Sequence, residues 1–126
     1  WVPSFGGDWQ TTNLSDLYGG PTLGAGISSY VTSWDGLNIA GVDGDGNVQI
    51  YWWAPGLDVW NVTAISDLVT DVDAPAGNLT GFASPTGTIN LAGLASDGDL
   101  VRYSWDANGD QIWRGVNLSE TSEYRV

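Results

Sequence analysis

The chain has 126 residues, one domain's length, and carries 15 acidic residues against three arginines (Arg102, Arg114 and Arg125) and no lysine. The resulting net charge of -12 argues against a nucleic-acid partner, which needs a basic surface, and equally against anionic membranes. Cysteine, methionine and histidine are all absent, so disulfides, thiol chemistry, nucleophile–histidine triads and histidine-ligated metals are excluded.

Glycine and Asx-rich turns punctuate short β-type runs, and no amphipathic helical stretch stands out. Trp1 to Ser4 and Asp8 to Asn13 read as two strands of an incomplete unit, residues 1–14. Ser15 to Ala25 is a longer connection. Gly26 to Trp34, Leu37 to Val42, Asn47 to Ala54 and Val59 to Ile65 then read as four strands. They are joined by turns at Asp35-Gly36, Asp43 to Gly46 and Pro55 to Asp58, and they complete a unit over residues 15–65. Asp-Gly between apolar runs is the strongest short-range hairpin signal. Ser66 to Ala76 is a second long connection. Gly77 to Ser84, Gly87 to Ala95, Asp99 to Trp105 and Gln111 to Leu118 form a second four-strand unit, residues 66–118. A short tail, 119–126, follows. No run of 18 apolar residues exists, so no membrane-spanning helix is expected.

The two units repeat one another. Trp60-Asn61-Val62-Thr63-Ala64-Ile65-Ser66-Asp67-Leu68 echoes Trp9 to Leu17, and Trp113 to Ser119 starts a third copy. Asn38-Ile39-Ala40-Gly41-Val42 matches Asn90-Leu91-Ala92-Gly93-Leu94, and Tyr51 and Trp53 match Tyr103 and Trp105. A unit of roughly 50 residues that recurs marks propellers, solenoids and arrays. Four meander strands followed by one longer crossover is the arithmetic of a propeller blade. The chain therefore resembles the β-propeller families, above all the highly repetitive bacterial propellers and, more loosely, the lectin propellers. That resemblance implies an all-β, β-propeller-type fold of four-stranded antiparallel meander blades, two full and one half. Trp1-Val2-Pro3 matches Trp53-Ala54-Pro55, so the chain is expected to open inside a blade, as a fragment or a processed product. A half blade leaves an unpaired edge, which predicts a homo-oligomer closing symmetrically.

Eight tryptophans in 126 residues are the main candidates for function. Trp1, Trp53 and Trp105 share one repeat position, and Trp9, Trp60 and Trp113 another. A residue that recurs in every unit solves a recurring packing problem, so these six are expected to be structural. Trp34 and Trp52 have Thr86 and Ser104 as counterparts, so no repeat role demands an aromatic there. Trp52 is expected to point away from Trp53, and Tyr30 lies at even spacing from Trp34. Trp52, Trp34 and Tyr30 are thus the candidate contacts for a glycan, with an exposed or partner-covered tryptophan as the plain alternative.

Asp43, Asp45 and Asn47 place side-chain oxygens at alternate positions, a partial match to a Ca²⁺ loop. A plain Asx-Gly turn explains them equally, and no cofactor is otherwise indicated. Asn-x-Ser/Thr triplets occur at Asn13, Asn61, Asn78 and Asn117; short Thr/Ser/Asn-rich strands produce such triplets by chance, and a turn role is the simpler reading for Asn13 and Asn117, which share a repeat position. Paired carboxylates such as Asp43 with Asp45, or Asp71 with Asp73, could in principle serve hydrolysis of a glycosidase type. They sit in turn-like contexts without base or nucleophile, so no enzyme is expected. The sequence therefore predicts a secreted, acidic, self-assembling module that binds glycans. The alternative is a purely structural or adhesive repeat module, calcium-stabilised if the Asp43 turn holds metal.

Overall fold

The computed structural model describes Trp9 and residues 11–121. These residues form an all-β structure of two four-stranded antiparallel sheets, each strand pairing with its sequence neighbour. The first sheet holds β1 (Leu23–Val31), β2 (Leu37–Asp43), β3 (Val48–Trp53) and β4 (Asn61–Ala64). The second holds β5 (Leu79–Ala83), β6 (Thr88–Leu94), β7 (Leu100–Asp106) and β8 (Arg114–Asn117). All eight expected strands are present, but β1 begins and ends three residues before its expected bounds, and β4 and β8 are shorter than expected. The expected half unit at 1–14 lies, apart from Trp9 and 11–14, outside the described residues, as does the tail beyond Thr121.

Three short helices depart from the expected all-strand reading: α1 (Leu14–Tyr18), α2 (Ile65–Leu68) and α3 (Leu118–Thr121). They occupy one repeat position and cut β4 and β8 short of their expected ends. In α1 and α3 the signal is capping rather than amphipathicity; α2 follows Ala64, which makes no side-chain cap. Asn13 accepts from the Asp16 N–H at 3.1 Å and Asn117 from the Glu120 N–H at 3.0 Å, satisfying backbone donors that a helix start leaves free. The serines of α2 and α3 then each serve a strand. Ser66 Oγ accepts the Val48 N–H at 3.0 Å, and Ser119 Oγ accepts the Leu100 N–H at 2.9 Å. α2 and α3 are thereby each tied to the start of the third strand of their own sheet, whereas Ser15 in α1 bonds to Pro21 O and Tyr51 Oη.

The hairpins follow their turn residues. Asp43 Oδ1 accepts the N–H groups of Asp45 and Asn47 at 2.9 and 3.0 Å, and Gly46 takes φ +86°, a conformation that L side chains rarely adopt. Gly98 does the same in the second unit at φ +91°.

The sheets stack in the same orientation, so each presents a different face to the other. From the first sheet, Tyr30, Ala40, Val42, Val48 and Ile50 enter the core; from the second, Leu79, Ile89, Leu91, Val101 and Tyr103. The alternation is that of strands with two distinct faces. At the contact of β1 with the second sheet the backbones nearly touch. A Cβ on Gly26, itself at φ +58°, would lie 2.4 Å from Asn78 Cα, so only glycine fits. The register of β1 against β2 shifts on either side of Ala25, a bulge that bends β1 toward β5.

Candidate functional site

At one end of the stack the sheets part around a cavity of about 410 Å³. This lies within the roughly 300–1,000 Å³ of small-molecule sites. Trp34, Trp52 and Trp53 enter it from the first unit, and Trp105 and Trp113 from the second. Ile50, Ile65 and Ile89 line its apolar interior, and Asn38, Thr63 and Gln111 add polar groups.

Each tryptophan reaches the cavity from a different local setting. Trp34 sits in the turn after β1, closed by Thr32: the Thr32 N–H donates to Gly36 O at 2.9 Å and the Gly36 N–H donates to Thr32 Oγ1 at 2.8 Å. Trp34 meets Trp105 across the mouth, ring centroids 5.9 Å apart and tilted by 60°, a favourable edge-toward-face geometry. Trp52 lies on the core side of β3 and donates its indole N–H to Thr63 Oγ1 at 3.0 Å. Trp53, the last residue of β3, donates to Leu57 O at 2.8 Å. The indole N–H groups of Trp34, Trp105 and Trp113 have no protein acceptor among the described residues. The Gln111 amide, held at a positive φ of 58°, donates to Ala107 O at 3.0 Å and leaves its carbonyl free among the described residues. The cavity thus combines flat apolar rings with donors and acceptors at their edges.

Several expectations about individual residues are corrected. Tyr30 does not share this site with Trp34: it is buried in the core against Gly81. Even spacing fails here because β1 ends at Val31 and Trp34 lies in the turn, where strand alternation no longer holds. Burial raises the Tyr30 phenol well above its ordinary value. Trp52 is not on a free face but packs partly on the core, as do Trp105 and Trp113. Trp53, Trp105 and Trp113, expected to be structural alone, also line the cavity. Trp53 joins Trp52 there despite their opposite directions because β3 stops at that point. Trp60 is half-buried without reaching the cavity, and Trp9 is exposed: no described strand or sheet packs over it. Trp1 lies outside the described residues.

The Asp43 loop is built as a turn. One Asp43 oxygen accepts the two backbone N–H groups already named, and the other accepts from Gln49 Nε2 at 2.9 Å. The Gln49 bond, then the Asn47 backbone, hold its carboxyl below the usual carboxylate range. Asn47 Oδ1 accepts from Ser66 Oγ at 3.4 Å. Asp45 is exposed at the turn. Among the described residues no group of three or more acidic side chains is placed to hold a metal ion.

Asp71 and Asp73 are exposed in the segment before β5. Their charges add to burial in raising Tyr103 to about 12. Among the described residues no helix is long and apolar enough to cross a membrane. Comparison of the chain with family models, with curated proteins and with solved structures found no match in any of the three.

Proposed function

We propose that this chain is a non-catalytic repeat module, its two sheets being blades of β-propeller type, which binds carbohydrate in the tryptophan-lined cavity. The observation that carries this is the convergence of five tryptophans from two units on one cavity, three of them with indole N–H groups that no described residue accepts. A pyranose ring presents apolar C–H faces and a rim of hydroxyls. Stacked rings with edge donors match that pattern, and apolar walls with few oriented polar groups are the general form of a ligand pocket. No carboxylate lines the cavity among the described residues, which favours binding over hydrolysis. Secretion accords with the acidic surface and the role.

The test is a glycan array followed by titration of the best hit, read by tryptophan fluorescence. Trp34 is partly exposed at the mouth, so Trp34→Ala is expected to weaken binding at least tenfold while leaving the melting temperature close to that of the parent. Unchanged binding by Trp34→Ala would remove carbohydrate from this cavity.

A second observation supports self-assembly. The face of the first sheet turned away from the second bears Ile27, Val31 and Leu37, exposed by 62%, 58% and 41%. Their repeat counterparts are Leu79, Ala83 and Ile89. Leu79 and Ile89 are buried against the first sheet. A face that packs on a blade in one unit is therefore bare in the other, and it fits a further blade.

A further inference from the structure

The outward face of the second sheet carries a second cleft, of about 310 Å³, between β6, β7 and the segment leading into β8. It is the repeat counterpart of the tryptophan cavity with its chemistry replaced. Asn90 stands where Asn38 does and Trp105 where Trp53 does. Arg102, however, replaces the buried Ile50, and Ser104 replaces Trp52.

The strand registers place the polar groups together. Asn90 faces Ser104 and Ser104 faces Arg114 across adjacent strands, while Arg102 faces Val116. Arg102 and Arg114 are therefore diagonal neighbours on one face, roughly 7–8 Å apart at the backbone. In a chain of net charge -12 with three arginines, two line one cleft, together with the carboxylates of Asp106 and Asp110. Their situations differ. Arg114 is paired with Asp110. Arg102 has no acidic partner among the described residues, and its Nε is sealed from solvent without an acceptor. A guanidinium stays charged at any physiological pH; with its Nε sealed from solvent, the terminal nitrogens of Arg102 are the ones a ligand in the cleft would meet.

We propose that this cleft is an anion-selective sugar site that takes a hexuronic-acid residue. Arg102 receives the carboxylate, whose two oxygens match the planar donor fork. The indole of Trp105, which lines the same cleft, offers an apolar surface to the ring. Asn90 and Ser104 supply hydrogen bonds to hydroxyls. The sheet of like units thus yields a neutral-sugar cavity between blades and an acidic-sugar cleft on the outer blade. The second proposal stands on Arg102 and its cleft and does not depend on the first.

The test uses the whole chain, titrated calorimetrically with trigalacturonic acid and with its fully methyl-esterified form. The acid is expected to bind, with the ester at least tenfold weaker and the affinity of the acid falling as salt rises. Arg102→Gln is expected to lose at least tenfold for the acid, and Arg102→Lys, which keeps the charge but not the fork, to fall between. The acid-to-ester comparison is made on the parent protein, so it decides the matter even if an Arg102 variant fails to fold. No binding of the acid, equal binding of acid and ester, or a folded Arg102→Gln that binds as the parent does would each overturn the proposal. Equal competition by simple acetate would show a bare carboxylate contact, from any source, and overturn the sugar assignment.

Discussion

At the scale of single residues, this chain separates what a side chain is from where its strand puts it. Asp43 shows this most directly. Its spacing with Asp45 and Asn47 suits either a turn or a metal loop, and the hydrogen bonds choose the turn by occupying both of its oxygens. Because folding lowers its pKa from 3.8, its contribution to stability is complete above that value. The contribution is lost as pH falls through the lowered folded value. Asp43→Asn should therefore melt below the parent at pH 7, and the gap should narrow as pH falls below the ordinary carboxylate range, followed by circular dichroism. A chelator should leave the parent's melting temperature unchanged. A chelator-induced drop that Asp43→Asn abolishes would return the loop to the metal reading. The tryptophans teach the complementary lesson. Trp34 and Trp52 were legible as candidates because their repeat counterparts, Thr86 and Ser104, are not aromatic. Trp105 and Trp113 were not, because a recurring position looks structural whether or not a ligand also touches it.

The recurring element is the strand hairpin closed by a short helix, and the helix was the part hidden from pattern reading. Four or five residues are too few for a helical period to register. What marks them is the serine at the second position of each, joined in α1 and α3 by an Asn cap. Ser66 and Ser119 each accept an N–H at the start of the third strand of their sheet. Removing the hydroxyl leaves that donor without its partner, a cost of about 1–3 kcal/mol where the donor is buried. Val48 is fully buried and Leu100 only partly so. Ser66→Ala should therefore cost more than Ser119→Ala in urea unfolding, and the two should be nearly additive, since they act in different sheets. Equal stability of Ser66→Ala and the parent would show that the helix-to-strand tie contributes nothing.

For the whole molecule, the decisive relation is that two like units stack in one orientation and so leave unlike outer faces. One is apolar, with Ile27, Val31 and Leu37 bare; the other holds the Arg102 cleft. Exposed apolar patches of this kind mark interaction surfaces, and association through such a face can close a symmetric oligomer. Light scattering at micromolar concentration should show a defined multimer. Leu37→Lys should shift it toward monomer while the isolated chain keeps its circular dichroism. A parent that melts cooperatively as a monomer would defeat the association. By itself the sequence determined the all-β class, the eight described strands and the repeat, because turn chemistry and alternation act locally along the chain. It also determined the exclusion of cysteine and histidine chemistry, because that depends on composition alone. Only the tertiary structure decided that Tyr30 is core, that tryptophans of both units share one cavity, and that the Nε of Arg102 lies sealed without an acceptor among the described residues. Each of these depends on which face of one sheet meets which face of the other, and that contact is made between residues some 50 positions apart.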